Sequence, residues 1–275
     1  MSMPDRTALA TIIADRVRKA RFDAASASVA TRQTVIDDIL PADVAAAIYA
    51  KFPTDGNNFV RRVSFRERKS TSAALDKLDP LLAEISFALQ APQVLAAVAA
   101  ITGMTDLEPD ASLYAGGLSM MKQGDFLNPH IDNSHDGPRH RYRRINLLYY
   151  VNPDWQLDNG GNLELWDDGV KTPVIIVSQF NRLVLMETNR HSWHSVSPVA
   201  VDATRCCVSS YYFSKSPPEA ENYFHVTRFS ARPDQPVRRI YARADAAARN
   251  FAGAALGLGR GRDLTYKSSD DSSQG

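Results

Sequence analysis

The stretch Gly124-Asp125-Phe126-Leu127-Asn128-Pro129-His130-Ile131-Asp132-Asn133 combines a turn with a short strand that carries two ionisable side chains. Gly124-Asp125 is a turn signal, and Pro129–Asn133 is predicted to be extended. Side chains at positions i and i+2 of a strand leave the same face, so we expect His130 and Asp132 to project together. An imidazole and a carboxylate that share a face can converge on one metal ion.

Short apolar strands separated by turn signals lie on both sides of this stretch. The turn signals include Gly116-Gly117, Asp136-Gly137-Pro138 and Asn159-Gly160-Gly161. About eight such strands within roughly a hundred residues are typical of a double-sheet jelly roll or a barrel. The predicted strands are Leu113–Met121, Pro129–Asn133, Ile145–Val151, Asn162–Trp166, Val174–Val177, Arg182–Met186, Ser195–Val201 and Cys206–Phe213.

Helical periodicity dominates the segment before these strands. Arg6–Asp23 and Ala42–Lys51 are predicted helices, and Val35–Leu40 is a short strand between them. Leu75–Ile101 supplies two further helices, which separate near Pro92. We therefore predict an α+β fold with a mainly β core: a double-stranded β-helix (jelly roll) flanked by N-terminal support helices.

The C-terminal part adds less regular structure. Tyr223–Phe229 is a predicted strand, and an alanine-rich helix is expected near Arg239–Ala255. The Ser/Asp-rich end has the composition of a flexible tail. We expect a single domain over residues 1–265, with helical support over 6–103, a jelly-roll core over about 112–214 and an extension over 215–265, followed by a tail over 266–275.

Composition and charge restrict the partners. The 275 residues are 44% hydrophobic and carry a net charge of +1, which gives no basic field for nucleic acid. No apolar run approaches the ~20 residues of a membrane span, and the first residues do not resemble a secretory signal. The adjacent pair Cys206 and Cys207 is a poor disulfide, so we expect a reducing cytoplasm. The sequence leaves the oligomeric state open.

A third metal ligand is available further along the chain. The stretch His191-Ser192-Trp193-His194-Ser195-Val196 begins 59 residues after Asp132, at the start of a predicted strand. Either of its histidines could fold back against the strand that carries His130. Two histidines and one carboxylate make the facial triad of non-haem iron, which leaves open positions for other ligands.

Arg205 stands 11 residues after His194, at the head of the last predicted strand of the core. Strand parity places it on one face with Cys207, Ser209 and Tyr211. An arginine inside a jelly roll needs a partner, because an unpaired buried charge is costly. A ligand carboxylate could satisfy it with two hydrogen bonds, and an ordinary salt bridge at a strand end is the alternative.

The order of these motifs resembles the iron(II)- and 2-oxoglutarate-dependent dioxygenases, in particular the prolyl 4-hydroxylase-like branch. It is most similar to the oxygen-sensing prolyl hydroxylases of animals and their bacterial relatives. The resemblance covers Gly116–Phe213. It rests on His130-Ile131-Asp132, then Tyr149-Tyr150-Val151-Asn152-Pro153-Asp154-Trp155, Gly160-Gly161, Arg182-Leu183, His194 and Arg205.

The resemblance assigns roles to individual side chains. It implies that His194, rather than His191, completes the metal site, since it immediately precedes a Ser-Val-Ser-Pro strand. It also implies that 2-oxoglutarate places its distal carboxylate between a tyrosine and an arginine. The implied Fe(II) ligands, which are also the catalytic residues, are His130, Asp132 and His194; the implied cosubstrate contacts are Arg205 and Tyr150, with Leu148 and Ser209 on the same strand faces.

One departure concerns the inner end of the cosubstrate. The family often has a tyrosine nine or ten residues before the first histidine, and Met120 and Met121 occupy those positions here. Asp132 itself matches the hydroxylases, because related halogenases carry a small residue in its place. The departure puts the inner contacts of 2-oxoglutarate in question and leaves the expected triad intact.

The resemblance implies a hydroxylase. Its reaction inserts oxygen into an unactivated C–H bond while 2-oxoglutarate and O₂ are converted to succinate and CO₂, with ascorbate as a candidate reductant. The substrate could be a prolyl residue, a free amino acid or another small metabolite. The alternatives are a non-catalytic jelly-roll domain that binds metal or acts as a sensor, and a zinc hydrolase. The hydrolase would leave Arg205 and Tyr150 without a role.

Two cationic segments are candidates for contacts with the substrate. Ser134–Arg144 follows the strand of His130 and is expected to border the mouth of the site, where it could receive an acidic substrate. The polar segment Asn57–Ser70 is the second candidate. Both could instead be solvated loops or edge strands. The arginines of the first segment are Arg139, Arg141, Arg143 and Arg144.

Overall fold

Four helices form the support layer. The computed structural model describes residues 3–22, 31–114, 116–219 and 221–235. The Asp5 carboxylate accepts a hydrogen bond from the backbone N–H of Ala8 at 2.9 Å and so caps the first helix. Prolines begin the third and fourth helices, where a missing N–H costs no internal hydrogen bond. The helices are α1 (Arg6–Arg18), α2 (Ala42–Ala50), α3 (Pro80–Ala88) and α4 (Pro92–Thr102).

The stretch Pro80–Thr102 has the length and mean hydropathy that a membrane span requires, contrary to the sequence prediction. Its chain is divided at Pro92 into α3 and α4, which both pack against α1. Half of its most apolar window is buried against the rest of the protein. A core helix meets the same criterion, so this is weak evidence for a membrane span.

The described part of the chain contains thirteen strands. Every pairing between them is antiparallel. They are β1 (Gln33–Ile36), β2 (Val60–Val63), β3 (Glu67–Ser72), β4 (Glu108–Pro109), β5 (Gly117–Met121), β6 (Phe126–Ile131), β7 (Tyr142–Tyr150), β8 (Leu163–Trp166), β9 (Pro173–Ile176), β10 (Arg182–Glu187), β11 (His194–Val196), β12 (Arg205–Ser214) and β13 (Arg228–Phe229).

The strand order is β1-β10-β7-β12-β5-β3-β6-β11-β8-β9. Strands β2, β4 and β13 pair with β3, β12 and β6, respectively. The sheet curls, as is shown by the cavity that residues of β6, β8 and β11 line together with residues of β5, β7 and β12. The predicted α+β class, with a jelly-roll core and N-terminal support helices, is confirmed.

Alternation along the central strands separates two apolar clusters. Tyr149 on β7 and Cys206 on β12 join the helices in the larger cluster. Their neighbours Tyr150 and Cys207 leave the opposite face and belong to a smaller cluster inside the curled sheet. One face of each strand therefore holds the support layer, and the other face builds the cavity.

Several predicted boundaries were wrong. β6 ends at Ile131, so Asp132 lies just beyond the strand. The edge-strand alternative for Asn57–Ser70, in contrast, agrees with the paired hairpin β2–β3. α1 ends at Arg18, well before Asp23. Only Arg228–Phe229 of the predicted strand Tyr223–Phe229 is extended and paired. The predicted helix at 239–255 and the tail at 266–275 lie outside the described residues, and the single-domain boundaries stay a prediction.

Asn181 joins the N-terminal layer to the sheet. Its side-chain oxygen accepts hydrogen bonds from Leu40 N–H at 3.2 Å and from the Tyr149 hydroxyl at 3.1 Å. Its amide nitrogen donates to the Leu40 carbonyl at 2.6 Å. The residue also adopts a φ of +58°, which asparagine tolerates better than most residues. A single buried side chain thus links positions 141 residues apart.

Replacing Asn181 with Ala should lower the free energy of unfolding by about 3 kcal/mol, because buried donors and acceptors on Leu40 and Tyr149 lose their partner. Urea denaturation measures this loss. Asn58→Ala is the matched control, since exposed Asn58 also has a positive φ, of +62°, and caps only the Lys77 carbonyl. Equal losses in the two variants would contradict the role assigned to Asn181.

Candidate metal and cosubstrate site

His130, Asp132 and His194 converge at one end of the cavity. Their candidate ligand atoms all lie within 4.8 Å of one another. His130 Nε2 is 3.5 Å from Asp132 Oδ1, and His194 Nε2 is 3.7 Å from Asp132 Oδ2. Cross-strand pairing of His194 with His130, on β11 and β6, brings the two imidazoles together. The sheet register therefore assembles three side chains that are distant in sequence.

Backbone carbonyls orient both imidazoles. His130 Nδ1 is 3.0 Å from the carbonyl oxygen of Asn128, and His194 Nδ1 is 2.9 Å from that of Ser192. In each ring the Nδ1–H donates to the carbonyl, and the Nε2 lone pair is left to face the other ligands. This is the tautomer that a metal-binding histidine needs.

Asp132 is held by two neighbours on β7. Asn146 Nδ2 donates to Asp132 Oδ2 at 2.8 Å, and Arg143 Nη1 lies 3.3 Å from the same oxygen. Oδ1 is the oxygen nearer to His130. Arg143 is itself buried, with its guanidinium 3.9 Å from the centre of the Tyr211 ring. Oδ2 is thus anchored by the protein and also lies near His194, and Oδ1 faces His130.

Electrostatics favour the metal-binding protonation states. Burial alone would raise the pKa of Asp132, but Arg143 and the two histidines outweigh burial and hold it well below its usual range. Burial, helped by the neighbouring His130, lowers the pKa of His194 to about 4. At neutral pH the site therefore presents a carboxylate and a neutral His194.

Arg205 lies in the wall of the same cavity and is only 3% exposed. Its Nε donates to the Gly161 carbonyl at 2.6 Å and to the Ser178 hydroxyl at 3.0 Å, and its Nη1 is 3.7 Å from Met121 Sδ. No carboxylate within the described residues lies within ion-pair distance of its guanidinium. A buried cation without an anion fits a ligand carboxylate.

Gly161 permits this placement of Arg205. The glycine has a φ of +62°, and a Cβ built on it would lie 2.9 Å from Arg205 Cδ. A side chain at position 161 would therefore displace the Arg205 side chain from its place in the cavity wall. The second glycine of the Gly160-Gly161 motif therefore leaves the space that the Arg205 side chain occupies.

Tyr150 adds a hydroxyl beside the guanidinium. The Arg205 Cζ atom is 4.8 Å from the centre of its ring. The hydroxyl is buried and makes no hydrogen bond of ordinary geometry. Burial raises the pKa of Tyr150 despite the opposing effect of Arg205, so the phenol keeps its proton and can donate. Together Tyr150 and Arg205 offer donors to one carboxylate.

The remaining predicted contacts line the same cavity, which encloses about 680 Å³ and opens to solvent. Leu148 and Ser209 lie in its wall, as strand parity predicted. Met121 also faces the cavity, whereas Met120 packs in the helix-facing core. Cys207 lines the cavity and Cys206 does not, because adjacent residues of β12 leave opposite faces.

The predicted arginine-rich mouth is only partly present. Arg143 points inward to Asp132, and Arg141 is paired with Asp136 at 2.7 Å and with Glu108 at 3.1 Å. Arg139 stacks on Phe224, and Arg144 donates to the Ser216 carbonyl. These four arginines therefore serve different neighbours, because the chain from Ser134 to Arg144 turns back into β7 instead of forming one cationic loop.

His191 is excluded from the triad by its position. Its ring is exposed and lies 3.1 Å from the Asp168 carboxylate. Three contacts of the site were not predicted from the sequence: Arg143 and Asn146 anchor Asp132, and Phe229 stacks on His130 at 5.3 Å. Strand parity places Asn146 on the same face of β7 as Tyr150, and this was the sequence feature that could have indicated its contact with the site.

The chain is similar to 2-oxoglutarate-dependent oxygenases over about a hundred residues. Residues 116–213 match the model of the 2OG-Fe(II) oxygenase superfamily. Prolyl 3-hydroxylase OGFOD1 of Mus musculus is 35% identical over 88 residues, which cover 30% of this chain and 16% of the relative. Egl nine homolog 1 of Homo sapiens is 32% identical over 85 residues, which cover 30% of this chain and 18% of the relative. The match therefore spans less than a fifth of each of these two proteins.

A solved structure supports the fold. A prolyl 4-hydroxylase from Phytophthora capsici superposes with a TM-score of 0.51 at 18% identity, over 92% of this chain and 79% of that one. At this identity the likeness concerns the fold alone. The resemblance predicted from the sequence, to the 2-oxoglutarate-dependent dioxygenases and their prolyl 4-hydroxylase-like branch, is confirmed.

The metal-free protein should lose stability as the pH falls from 6.5 towards 4. Burial lowers the pKa of both His194 and His225 to about 4, so the unfolded chain binds protons in this range that the folded chain does not. Each histidine should contribute at most about 3 kcal/mol to the decrease.

Urea midpoints at several pH values, measured with a chelator present, test this expectation. His225→Gln should flatten the dependence, and His191→Gln, which changes an exposed ring, should not. A pH dependence that is identical in the two variants would contradict it.

Proposed function

We propose that this chain, whose residues 116–213 match the model of the 2OG-Fe(II) oxygenase superfamily, is an Fe(II)- and 2-oxoglutarate-dependent hydroxylase. The observation that carries the proposal is Arg205, a buried guanidinium without a carboxylate partner in the described residues, in the same cavity as the His130, Asp132 and His194 triad. A metal-binding domain without catalysis would account for the triad but not for this cation.

The triad residues would hold the metal through two imidazole Nε2 atoms and one carboxylate oxygen. This donor set fits Fe(II) and leaves coordination positions open. Iron supplies, when bound with 2-oxoglutarate and O₂, the oxidative decarboxylation that yields succinate and CO₂ and the hydroxylation of a substrate C–H bond. The carbonyls of Asn128 and Ser192 keep both rings turned towards the metal position.

Asp132 and Arg205 perform complementary tasks. Arg143 and Asn146 hold Asp132 Oδ2, so this carboxylate cannot rotate away from the metal position. Arg205 would form charge-assisted hydrogen bonds with the distal carboxylate of 2-oxoglutarate, and the Tyr150 hydroxyl would donate a further one. Gly161 and Ser178 fix the Arg205 Nε, so its terminal nitrogens are the ones that point to the ligand.

The substrate is proposed as a class. It could be a prolyl residue of a peptide, a free amino acid or another small metabolite, and the names of the relatives make a prolyl substrate the first to test. Ascorbate is a candidate reductant. Cys206 and Cys207 are free thiols, in keeping with the proposed cytoplasmic location.

Purified protein loaded anaerobically with Fe(II) and then exposed to O₂ should convert 2-oxoglutarate to succinate, even without a prime substrate. Succinate measured by mass spectrometry should fall to the background rate in His130→Ala, because one of three ligands is lost. A substrate panel of prolyl peptides, free amino acids and cell extract should give products heavier by one oxygen atom. Equal succinate in wild type and His130→Ala, with every substrate, would contradict the proposal.

Arg205→Ala should raise the KM for 2-oxoglutarate about a hundredfold, because two charge-assisted hydrogen bonds are lost. Its affinity for Mn(II), measured by calorimetry, should stay nearly unchanged. Arg182→Ala is the matched control, since Arg182 is a partly buried arginine paired with Asp37 outside the cavity. An unchanged KM in Arg205→Ala would mean that another cation binds the distal carboxylate of 2-oxoglutarate. Arg190 and Arg144 do not suit this role, because Arg190 is paired with Glu219 and Arg144 donates to the Ser216 carbonyl.

A further inference from the structure

A second cavity adjoins the metal end of the site. It is open to solvent, has about 770 Å³ of empty space when its open mouth is included, and shares seven lining residues with the cosubstrate cavity, among them His130 and Asp132. The β2–β3 hairpin forms one wall, and Phe229, stacked on His130, forms part of another. Arg62 and Phe229 line the second cavity only, so a molecule held by them would lie beside the cosubstrate site and against the metal position.

The hairpin turns two cations towards this cavity. Arg62 on β2 pairs directly with Lys69 on β3, and both side chains line the cavity. Val60 pairs with Thr71 on the same face. Cross-strand partners have Cβ atoms about 5 Å apart, and like charges in such a pair destabilise the hairpin. An anion bound between them would remove this repulsion.

The other charges of the wall are mostly compensated. Arg143 pairs with Asp132 at 3.3 Å, and Lys69 lies 3.5 Å from the Glu67 carboxylate. The Arg62 side chain makes no ion pair, hydrogen bond or ring contact with any residue of the described segments. The wall consequently carries one unmatched positive charge, on a half-buried guanidinium.

Thr71 supplies a neutral donor beside the two cations. Its hydroxyl is buried and has no hydrogen-bond partner among the described residues. Thr71 and Lys69 are two positions apart on β3 and share the cavity face, and both line the cosubstrate cavity as well. Lys69 and Thr71 thus stand at the boundary between the two cavities, and Arg62 lines the second cavity beside them.

From this arrangement we infer that Arg62, Lys69 and Thr71 bind an anionic group, a carboxylate or a phosphate, on the substrate. The inference rests on the proposed function, because it assigns the second cavity to the molecule that is hydroxylated. Arg205 and the metal account for both carboxylates of 2-oxoglutarate, so the anion held by the hairpin belongs to a different molecule. The preferred substrate is therefore acidic, and its recognition depends on the hairpin rather than on the segment from Arg139 to Arg144.

Calorimetry on full-length protein loaded anaerobically with Fe(II) and saturating 2-oxoglutarate tests this inference. The probes are N-acetyl-L-proline, its neutral amide N-acetyl-L-prolinamide, and inorganic phosphate. The acid should bind about ten- to a hundredfold more tightly than the amide, the effect expected of hydrogen bonds to a charged group. Competition by phosphate would indicate a general anion site, and its absence a preference for carboxylates.

Arg62→Gln should bring the affinity ratio of acid to amide close to one, and Arg62→Lys should restore part of it. Arg68→Gln is the matched control, because Arg68 lies on the same hairpin and faces away from the cavity. A ratio of one in the wild type, or a ratio that Arg62→Gln leaves unchanged, overturns the inference. Succinate formation by the wild type reports separately on the proposed function.

Discussion

A guanidinium buried without a counter-anion is the constraint on which the whole site depends. Arg205 is tolerated because Gly161 and Ser178 accept hydrogen bonds from its Nε, but its charge is left for a ligand to neutralise. The need to place that charge explains the left-handed Gly161, since a Cβ there would displace the arginine. It also explains why a neutral tyrosine, rather than an acid, lies next to it.

At the triad, in contrast, the protein itself provides the anionic group, the carboxylate of Asp132. Asp132 stays ionised because Arg143 stands behind it, and the two imidazoles are oriented by main-chain carbonyls. Antiparallel pairing of β11 with β6 brings these parts together, so the geometry of the triad is a property of the sheet rather than of flexible loops. Precise orientation of this kind is what a reactive metal centre requires.

Sequence patterns predicted the features that have short-range causes. Strand alternation placed Arg205, Cys207 and Ser209 on one strand face and Leu148 and Tyr150 on another, because a period of two needs no knowledge of the neighbours. The structure shows that both faces line one cavity. The sequence patterns did not distinguish Arg143 from the partly exposed arginines near it, because its burial depends on Asp132, which is distant in sequence from its strand position. The hairpin was uncertain for a similar reason: its inward face is polar, so hydrophobic alternation could not reveal it.

The location of Cys207 has a consequence for the durability of the proposed catalyst. Burial raises the pKa of this thiol to about 11, so it remains protonated although it lines the cavity in which oxidation would occur. Oxidants attack thiolates far faster than thiols, and sulfenic acid formation would obstruct the pocket. By keeping sulfur in its unreactive form, the buried surroundings of Cys207 would protect the proposed enzyme from oxidation in the absence of substrate.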